Sequence, residues 1–123
     1  MLVDTNVLVD VLANDPEWAD WSIAQLRAQA QIHRLCINPV IYAELSLTFN
    51  TVEALDETLA GLRIPVIDIP RPALFLAGKA FVQYRQQGGT KADVLADFFI
   101  GAHAAVLGWP VLTVPGIEAD DAI

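Results

Sequence analysis

Three carboxylate side chains in this sequence occupy positions that favour chemistry. Asp4 follows a short apolar run, Glu44 shares a predicted helical face with apolar residues, and Asp97 lies within an apolar stretch. A carboxylate on a core-facing stripe costs free energy on the order of several kcal/mol unless it is paired or binds a metal. All-oxygen ligand sets suit hard cations such as Mg²⁺ or Mn²⁺. The three residues therefore predict one metal site assembled from separate segments.

Two of these carboxylates also have a structural interpretation that the sequence leaves open. Asp4 could serve as the N-cap of the helix that follows it, a position that Asp fills well. Glu44 could reach solvent from the rim of its apolar stripe.

Asp97 is the strongest of the three candidates. Asp97 and His103 are the polar side chains between residues 94 and 107, so we expect a central helix that encloses Asp97. Asp93 lies one turn earlier on the same helical face and is a weaker candidate ligand. It also ends a Thr-x-x-Asp pattern typical of helix starts, which favours a capping role.

The sequence disfavours a zinc site, a disulfide bond and a phosphate-binding glycine loop. Cys36 is the single cysteine, and no His or Cys pair has zinc-ligand spacing. A lone cysteine favours a reducing, cytoplasmic compartment. We expect His103 to be a hydrogen-bonded core histidine and His33 to follow a helix end. The phosphate-binding glycine loops of nucleotide enzymes are absent.

The composition limits how the chain can meet nucleic acid or lipid. Its 123 residues are 54% apolar with a formal charge of −8, which excludes a disordered chain. Strong acidity argues against adhesion to RNA, DNA or anionic lipid through a basic surface. The uncharged stretch 98–117 is interrupted by Gly108 and Pro110 and should not span a membrane. The first residues lack a signal-peptide pattern.

The carboxylates must be positioned by a parallel sheet and its helices. The apolar patterns predict strands at 1–3, 35–37, 64–69 and 110–114, and helices at 5–12, 18–31, 40–49, 52–60, 72–86 and 93–107. Short strands separated by helices indicate a three-layer α/β/α sandwich with a small, mainly parallel sheet. We assign residues 1–115 to one domain and 116–123 to an acidic tail. Ligands of such sheets collect at the carboxyl ends of the strands.

Four segments together form a more specific pattern. They are Val3-Asp4-Thr5-Asn6-Val7-Leu8, Val40-Ile41-Tyr42-Ala43-Glu44-Leu45, Asp97-Phe98-Phe99-Ile100-Gly101-Ala102-His103-Ala104 and Gly108-x-x-Val111-Leu112-Thr113. Their succession resembles the motifs of PIN-domain ribonucleases, particularly the VapC-type toxins of bacterial toxin–antitoxin pairs. The resemblance covers nearly the whole chain up to Thr113, and its most specific part is the motif that begins at Asp97.

This resemblance implies a Mg²⁺- or Mn²⁺-dependent endoribonuclease with an RNA substrate. Members are often homodimers, and a cognate antitoxin inhibits them by inserting a segment into the acidic site. By position, the resemblance implies that Asp4, Glu44 and Asp97 are metal ligands and catalytic residues. It further implies that Thr5 or Asn6, together with Thr113, supplies supporting hydrogen bonds.

RNA contacts would fall to the sparse basic residues. Arg85 and Lys91 are the candidates for substrate binding, although both also fit a role as solvated surface charges. No membrane partner is expected.

The resemblance ends after Thr113. Family members usually continue with Thr-x-Asp or Thr-x-Asn, whereas this chain continues with Val114-Pro115-Gly116. Asp93 could partly replace the missing ligand. An alternative therefore stays open, namely a catalytically impaired PIN-like module that only binds an antitoxin-type partner. A haloacid-dehalogenase-type phosphatase is disfavoured, because it needs a second Asp where Asn6 stands.

Overall fold

A computed structural model of the chain describes residues 1–91 and 94–114. Asp93 and the tail 116–123, for which the sequence made predictions, lie outside the described residues. In chain order the elements are β1 (Leu2–Val3), α1 (Thr5–Leu12), α2 (Ala19–Ala30), α3 (Pro39–Leu45), a 3₁₀ helix (Ser46–Thr48), α4 (Val52–Leu62), α5 (Arg71–Gln86), α6 (Val94–Leu107) and β2 (Val111–Leu112).

The sheet is small and parallel, as predicted. β1 pairs with β2 in parallel, with Leu2 opposite Val111. Parallel bridges from Leu2 to Cys36 and from Ile37 to Val66 add the two other predicted strand segments. These segments contribute isolated bridges instead of strands, so the predicted strand 64–69 was wrong in its extent. Pro65 and Pro70 lack the backbone N–H that a longer ladder needs.

The main core lies between this sheet and the helices. Its fully buried side chains come from β1, α1, the bridge segment at Ile37, α3 and α4, and include Leu2, Leu8, Ile37, Ile41, Leu45 and Leu55. A second, smaller cluster joins α5 to α6 through Ala73, Ala77, Phe98 and Ala102. Three of these four residues are alanines, which allow the two helix backbones to approach closely. α6 also packs against α3, so it connects the smaller cluster to the region around Glu44.

Two predicted helix ends differ from the structure. The predicted helix 40–49 ends as α3 at Leu45 and continues as the 3₁₀ helix. The predicted closure of helix 52–60 at Gly61 was wrong, because α4 runs through Gly61 to Leu62. Arg63 closes α4 in the left-handed conformation, with φ 57°. Leu59 and Ile64, on either side of this end, are both buried, and the Ile64 N–H donates to the Leu59 carbonyl at 3.0 Å, as is typical of such helix ends.

The predicted absence of a spanning helix was tested on the described residues. Within 1–91 and 94–114, every helix is too short or too polar to cross a bilayer. α6 ends at Leu107, before Gly108 adopts a positive φ of 66°.

Candidate metal and nucleic-acid site

Asp4 lies at the carboxyl end of β1, beside the end of β2. Its backbone N–H donates to the Leu112 carbonyl at 2.9 Å, which continues the parallel ladder. Oδ1 of Asp4 accepts from the Thr5 backbone N–H at 2.8 Å, so Asp4 is the N-cap of α1. Oδ2 accepts from the Thr113 hydroxyl at 3.0 Å. The capping interpretation is therefore correct, and the second oxygen also joins Asp4 to a residue 109 positions away.

Glu44 is held close to Asp4 through Thr5. The Thr5 hydroxyl, in a residue that is 8% exposed, donates to Oε1 of Glu44 at 2.7 Å. This distance is ordinary for a hydroxyl that donates to an oxygen acceptor. Glu44 is half-buried on α3, so its side chain is neither enclosed in the core nor fully exposed. We call the chain Thr113–Asp4–Thr5–Glu44 the Asp4 network.

Asp97 is the candidate ligand on α6. It lies in the first turn of α6, which packs against the helix that carries Glu44. The expectation that apolar residues enclose Asp97 was too strong, because its side chain is half-buried. The neighbouring residues 94–96 are themselves partly exposed at this end of the helix.

The donor types of the region suit a hard divalent cation. The Asp4 network offers two carboxylates and two hydroxyls, and no sulfur or imidazole ligand takes part in it. Within residues 1–91 and 94–114, however, no group of three or more His, Cys, Asp or Glu side chains is close enough to hold a metal ion. The ligand chemistry thus fits Mg²⁺ or Mn²⁺, while a closed three-carboxylate cluster is not present among these residues.

Three predicted supporting or substrate residues are absent from the Asp4 network. Asn6 is exposed on α1, and Thr5, the alternative named with it, makes the contact to Glu44. Arg85 lies exposed in the last turn of α5, and Lys91 is exposed after that helix. The hydrogen bonds that join Asp4, Glu44 and Thr113 involve neither basic residue.

Asn38 is a buried polar residue whose role sequence reasoning missed. Its Oδ1 accepts from the Ile41 backbone N–H at 2.9 Å and caps α3. Its Nδ2 lies 3.3 Å from Nδ1 of His103, and both residues are 0% exposed. His103 is therefore the hydrogen-bonded core histidine that was predicted, and burial lowers its pKa. The Asn-Pro pair before a helix was the available signal for the cap.

An apolar groove borders Glu44 between α3 and α6. Its volume is about 530 Å³, and its lining includes Val40, Leu47, Leu95 and Phe99. Leu47 is 87% exposed, so one wall of the groove is an apolar side chain in contact with solvent.

Comparison with known proteins identifies the family. The PIN domain family model matches residues 1–114. This chain belongs to the PIN-domain family. Among curated proteins, no relative matches the sequence. Solved structures do match the fold of this PIN domain. One is the crystal structure of VapBC2 from Rickettsia felis bound to a DNA fragment from their promoter, with a TM-score of 0.73 and 20% identity, covering 98% of this chain and 91% of that chain.

The family assignment confirms the predicted fold class and the predicted resemblance. The small parallel sheet and surrounding helices are those of a PIN-like α/β fold. PIN domains are generally metal-dependent nucleases. In this PIN domain, the carboxyl end of the sheet is where Asp4 and Glu44 are joined through Thr5.

Proposed function

We propose that this PIN domain is a Mg²⁺- or Mn²⁺-dependent endoribonuclease and the toxin of a toxin–antitoxin pair. The observation that supports this function best is the Asp4 network. It joins the carboxylate that follows β1 to a carboxylate on α3, at the carboxyl end of the sheet, where α/β folds bind ligands. Family membership supplies the general chemistry, since PIN domains are generally metal-dependent nucleases.

In this proposal Asp4, Glu44 and Asp97 hold the cation, with Asp93 as a further candidate ligand. The bound cation would lower the pKa of its water and offset the charge that develops on the phosphate. The hydroxyls of Thr5 and Thr113 orient the carboxylates by donating to one oxygen of each. Outer hydrogen bonds of this kind commonly change metal affinity or activity by about 10- to 100-fold.

The proposed partners are RNA, a cognate antitoxin and a second copy of the chain in a homodimer. Because the net charge is −8, the carboxylates would repel an RNA phosphate, and a bound cation would offset that repulsion. Arg85 and Lys91 are the proposed contacts to more distant phosphates. The likeness to a structure of VapBC2 is consistent with an antitoxin partner, and the acidic site would attract a basic segment of that partner. We place the protein in the cytoplasm because its single thiol suits a reducing compartment.

RNA cleavage by carboxylate variants tests the proposal. Asp97→Asn and Glu44→Gln should abolish Mg²⁺-dependent cleavage, because each removes one negative charge with little change in shape. Asp20→Asn is the matched control, since Asp20 is an exposed aspartate in the first turn of α2. It should cleave at the wild-type rate. Circular dichroism checks that all three variants fold. Retained cleavage in Asp97→Asn would overturn the assignment.

The second candidate function is a PIN-like module that binds an antitoxin without hydrolysing RNA. It is favoured by Pro115, which stands where the resemblance expects an acid or amide. Calorimetric titration with Mn²⁺ separates the two candidates. Binding at micromolar concentrations supports the nuclease, whereas no binding by a folded protein that still captures its antitoxin supports the module.

A further inference from the structure

We propose that the buried hydrogen bond between Asn38 and His103 sets the spacing of α3 and α6 and thereby positions Glu44 relative to Asp97. Asn38 and His103 would be positioning residues, with no contact to metal or RNA. The relevance of this spacing to catalysis rests on the proposed function, but the spacing itself can be measured without it.

The two helices run in opposite directions past each other. At one end Asn38, the N-cap of α3, meets His103 in the second half of α6. At the other end Leu47, just after α3, lines the same groove as Leu95, at the start of α6. As the chain advances from 38 to 47, its neighbours on α6 therefore move back from 103 to 95. The Asn38–His103 bond and the groove therefore show that the segment 38–47 and α6 are antiparallel.

Glu44 and Asp97 lie at the same height along the antiparallel segments, because each is equally far in sequence from the Asn38–His103 bond. Glu44 follows Asn38 by six residues, and Asp97 precedes His103 by six residues. At the helical rise of 1.5 Å per residue, each carboxylate lies about 9 Å along its segment from the Asn38–His103 bond. A change in the spacing at that bond is consequently transmitted to the point where α3 and α6 present Glu44 and Asp97.

The geometry of Asn38 allows one arrangement of this bond. The Ile41 N–H can only donate, so the atom at 2.9 Å must be the Asn38 oxygen. The amide nitrogen therefore faces His103 and donates to Nδ1 at 3.3 Å. Nδ1 must be unprotonated to accept, which fixes a neutral ring with its proton on Nε2. Each end of the Asn38 amide has its own partner, so its orientation is determined.

Burial of His103 carries a cost that an apolar residue would avoid. Within the described residues, Nε2 of His103 is a buried side-chain atom without a hydrogen-bond partner. An unsatisfied buried donor is unfavourable, whereas leucine at this position would have no polar atom to satisfy. The acceptor at Nδ1 is what histidine adds here. Near Glu44, α3 and α6 are separated by the apolar groove of about 530 Å³. Because the two helices are not closely packed there, the Asn38–His103 hydrogen bond constrains their spacing more than the groove does.

The substitution Asn38→Ser removes the bond to His103 and keeps the N-cap of α3, so it tests the two roles of Asn38 separately. Serine still accepts from a backbone N–H as an N-cap, but its side chain is too short to reach His103. Spin labels at Cys residues replacing Ala43 and Ala105, both exposed, report the α3–α6 distance once Cys36 is replaced by Ala. Without metal, Asn38→Ser should broaden or shift this distance distribution in pulsed electron paramagnetic resonance. Asn50→Ser, an exposed Asn-to-Ser change, should leave it unchanged.

Two substitutions at His103 test the acceptor itself, because asparagine and leucine have nearly the same shape as each other. His103→Asn retains an acceptor oxygen near the position of Nδ1, whereas His103→Leu has no acceptor. Both variants lose the ring, so both should lower the melting temperature. We expect His103→Leu and Asn38→Ser to raise the Kd for Mn²⁺ about 10-fold or more and to lower kcat. His103→Asn should recover most of the affinity.

The outcomes distinguish this proposal from the proposed function. A wild-type protein that neither binds Mn²⁺ nor cleaves RNA overturns the nuclease, while a broadened distance distribution in Asn38→Ser still supports the spacing role. An unchanged distribution in both Asn38→Ser and His103→Leu overturns the spacing role. Equal Mn²⁺ affinities for His103→Leu and His103→Asn, with binding intact, overturn the role in positioning Glu44 and Asp97.

Discussion

At the scale of single residues, the candidate site depends on how Asp4 divides its two carboxylate oxygens. Oδ1 caps α1, and Oδ2 accepts from Thr113. The sequence presented capping and function as alternatives, but a carboxylate has enough lone pairs for both. Because the cap fixes the rotamer of Asp4, it also holds the carboxylate at the end of the sheet.

Thr5→Val tests the other half of the Asp4 network. Valine has the shape of threonine and removes the hydroxyl that donates to Glu44 at 2.7 Å. We expect a 10- to 100-fold slower RNA cleavage at saturating Mn²⁺, about the effect of losing an outer-shell hydrogen bond. Steady-state kcat is the measurement, and Thr5→Ser, which keeps the hydroxyl, is the control. Wild-type kcat in Thr5→Val would contradict a role for this bond.

His103 makes stability depend on pH in a direction that can be assigned. Burial lowers its pKa below the ordinary value of 6.5, and its described neighbours, the Asn38 amide and the Trp109 ring, do not titrate in this range. The unfolded chain therefore binds the proton more readily than the folded one. Stability should be full above pH 6.5 and should fall as pH drops toward the folded-state pKa.

Urea unfolding at pH 7.5 and pH 5.5 measures this effect. The loss of unfolding free energy between the two pH values should be smaller in His103→Leu than in the wild type. Burial raises the pKa of Asp10, but that contribution is common to both proteins and cancels in the comparison. An identical pH dependence in both proteins would show that His103 is not the group responsible.

At the scale of elements, helices were more predictable than strands. The apolar patterns predicted the six α-helices of residues 1–91 and 94–114, because each contributes apolar side chains to a core cluster. Strand lengths were overestimated, since the apolar pattern at 64–69 reflects the packing of Ile64 and Ile67 against the core, while the described ladder there is the single bridge at Val66. Apolar context indicated that Asp4 and Glu44 come together, as the bonds through Thr5 show, and their role as metal ligands stays a prediction. The Asn38–His103 bond was not, because it joins residues 65 positions apart and depends on tertiary packing.

Gly61 is a glycine inside α4 with no conformational need to be one. Its φ is not positive, and a Cβ built there meets nothing within 4 Å. Gly61→Ala should therefore raise the free energy of unfolding by about 0.5–1 kcal/mol, the helix-propensity difference between the two residues. Urea denaturation provides the measurement. Gly108→Ala is the contrasting variant, because Gly108 has a φ of 66° and alanine there should destabilise. Destabilisation by Gly61→Ala would contradict the helical assignment of this turn.

At the scale of the whole molecule, the charge of −8 limits how RNA can be bound. The Asp4 network concentrates part of that negative charge at one edge of the sheet, beside the apolar groove. A phosphate can approach this edge when a divalent cation offsets the charge, so binding and hydrolysis should share the same metal requirement. The family assignment supports this general chemistry, since PIN domains are generally metal-dependent nucleases.

Removal and return of the metal is the measurement that tests the nuclease proposal most directly. Purified protein is treated with a chelator, assayed on RNA, and assayed again after Mn²⁺ is added in excess. We predict that cleavage disappears in chelator, returns with Mn²⁺, and is absent throughout in Asp97→Asn. Cleavage that persists in chelator, or that Mn²⁺ does not restore to a folded wild-type protein, would contradict this prediction.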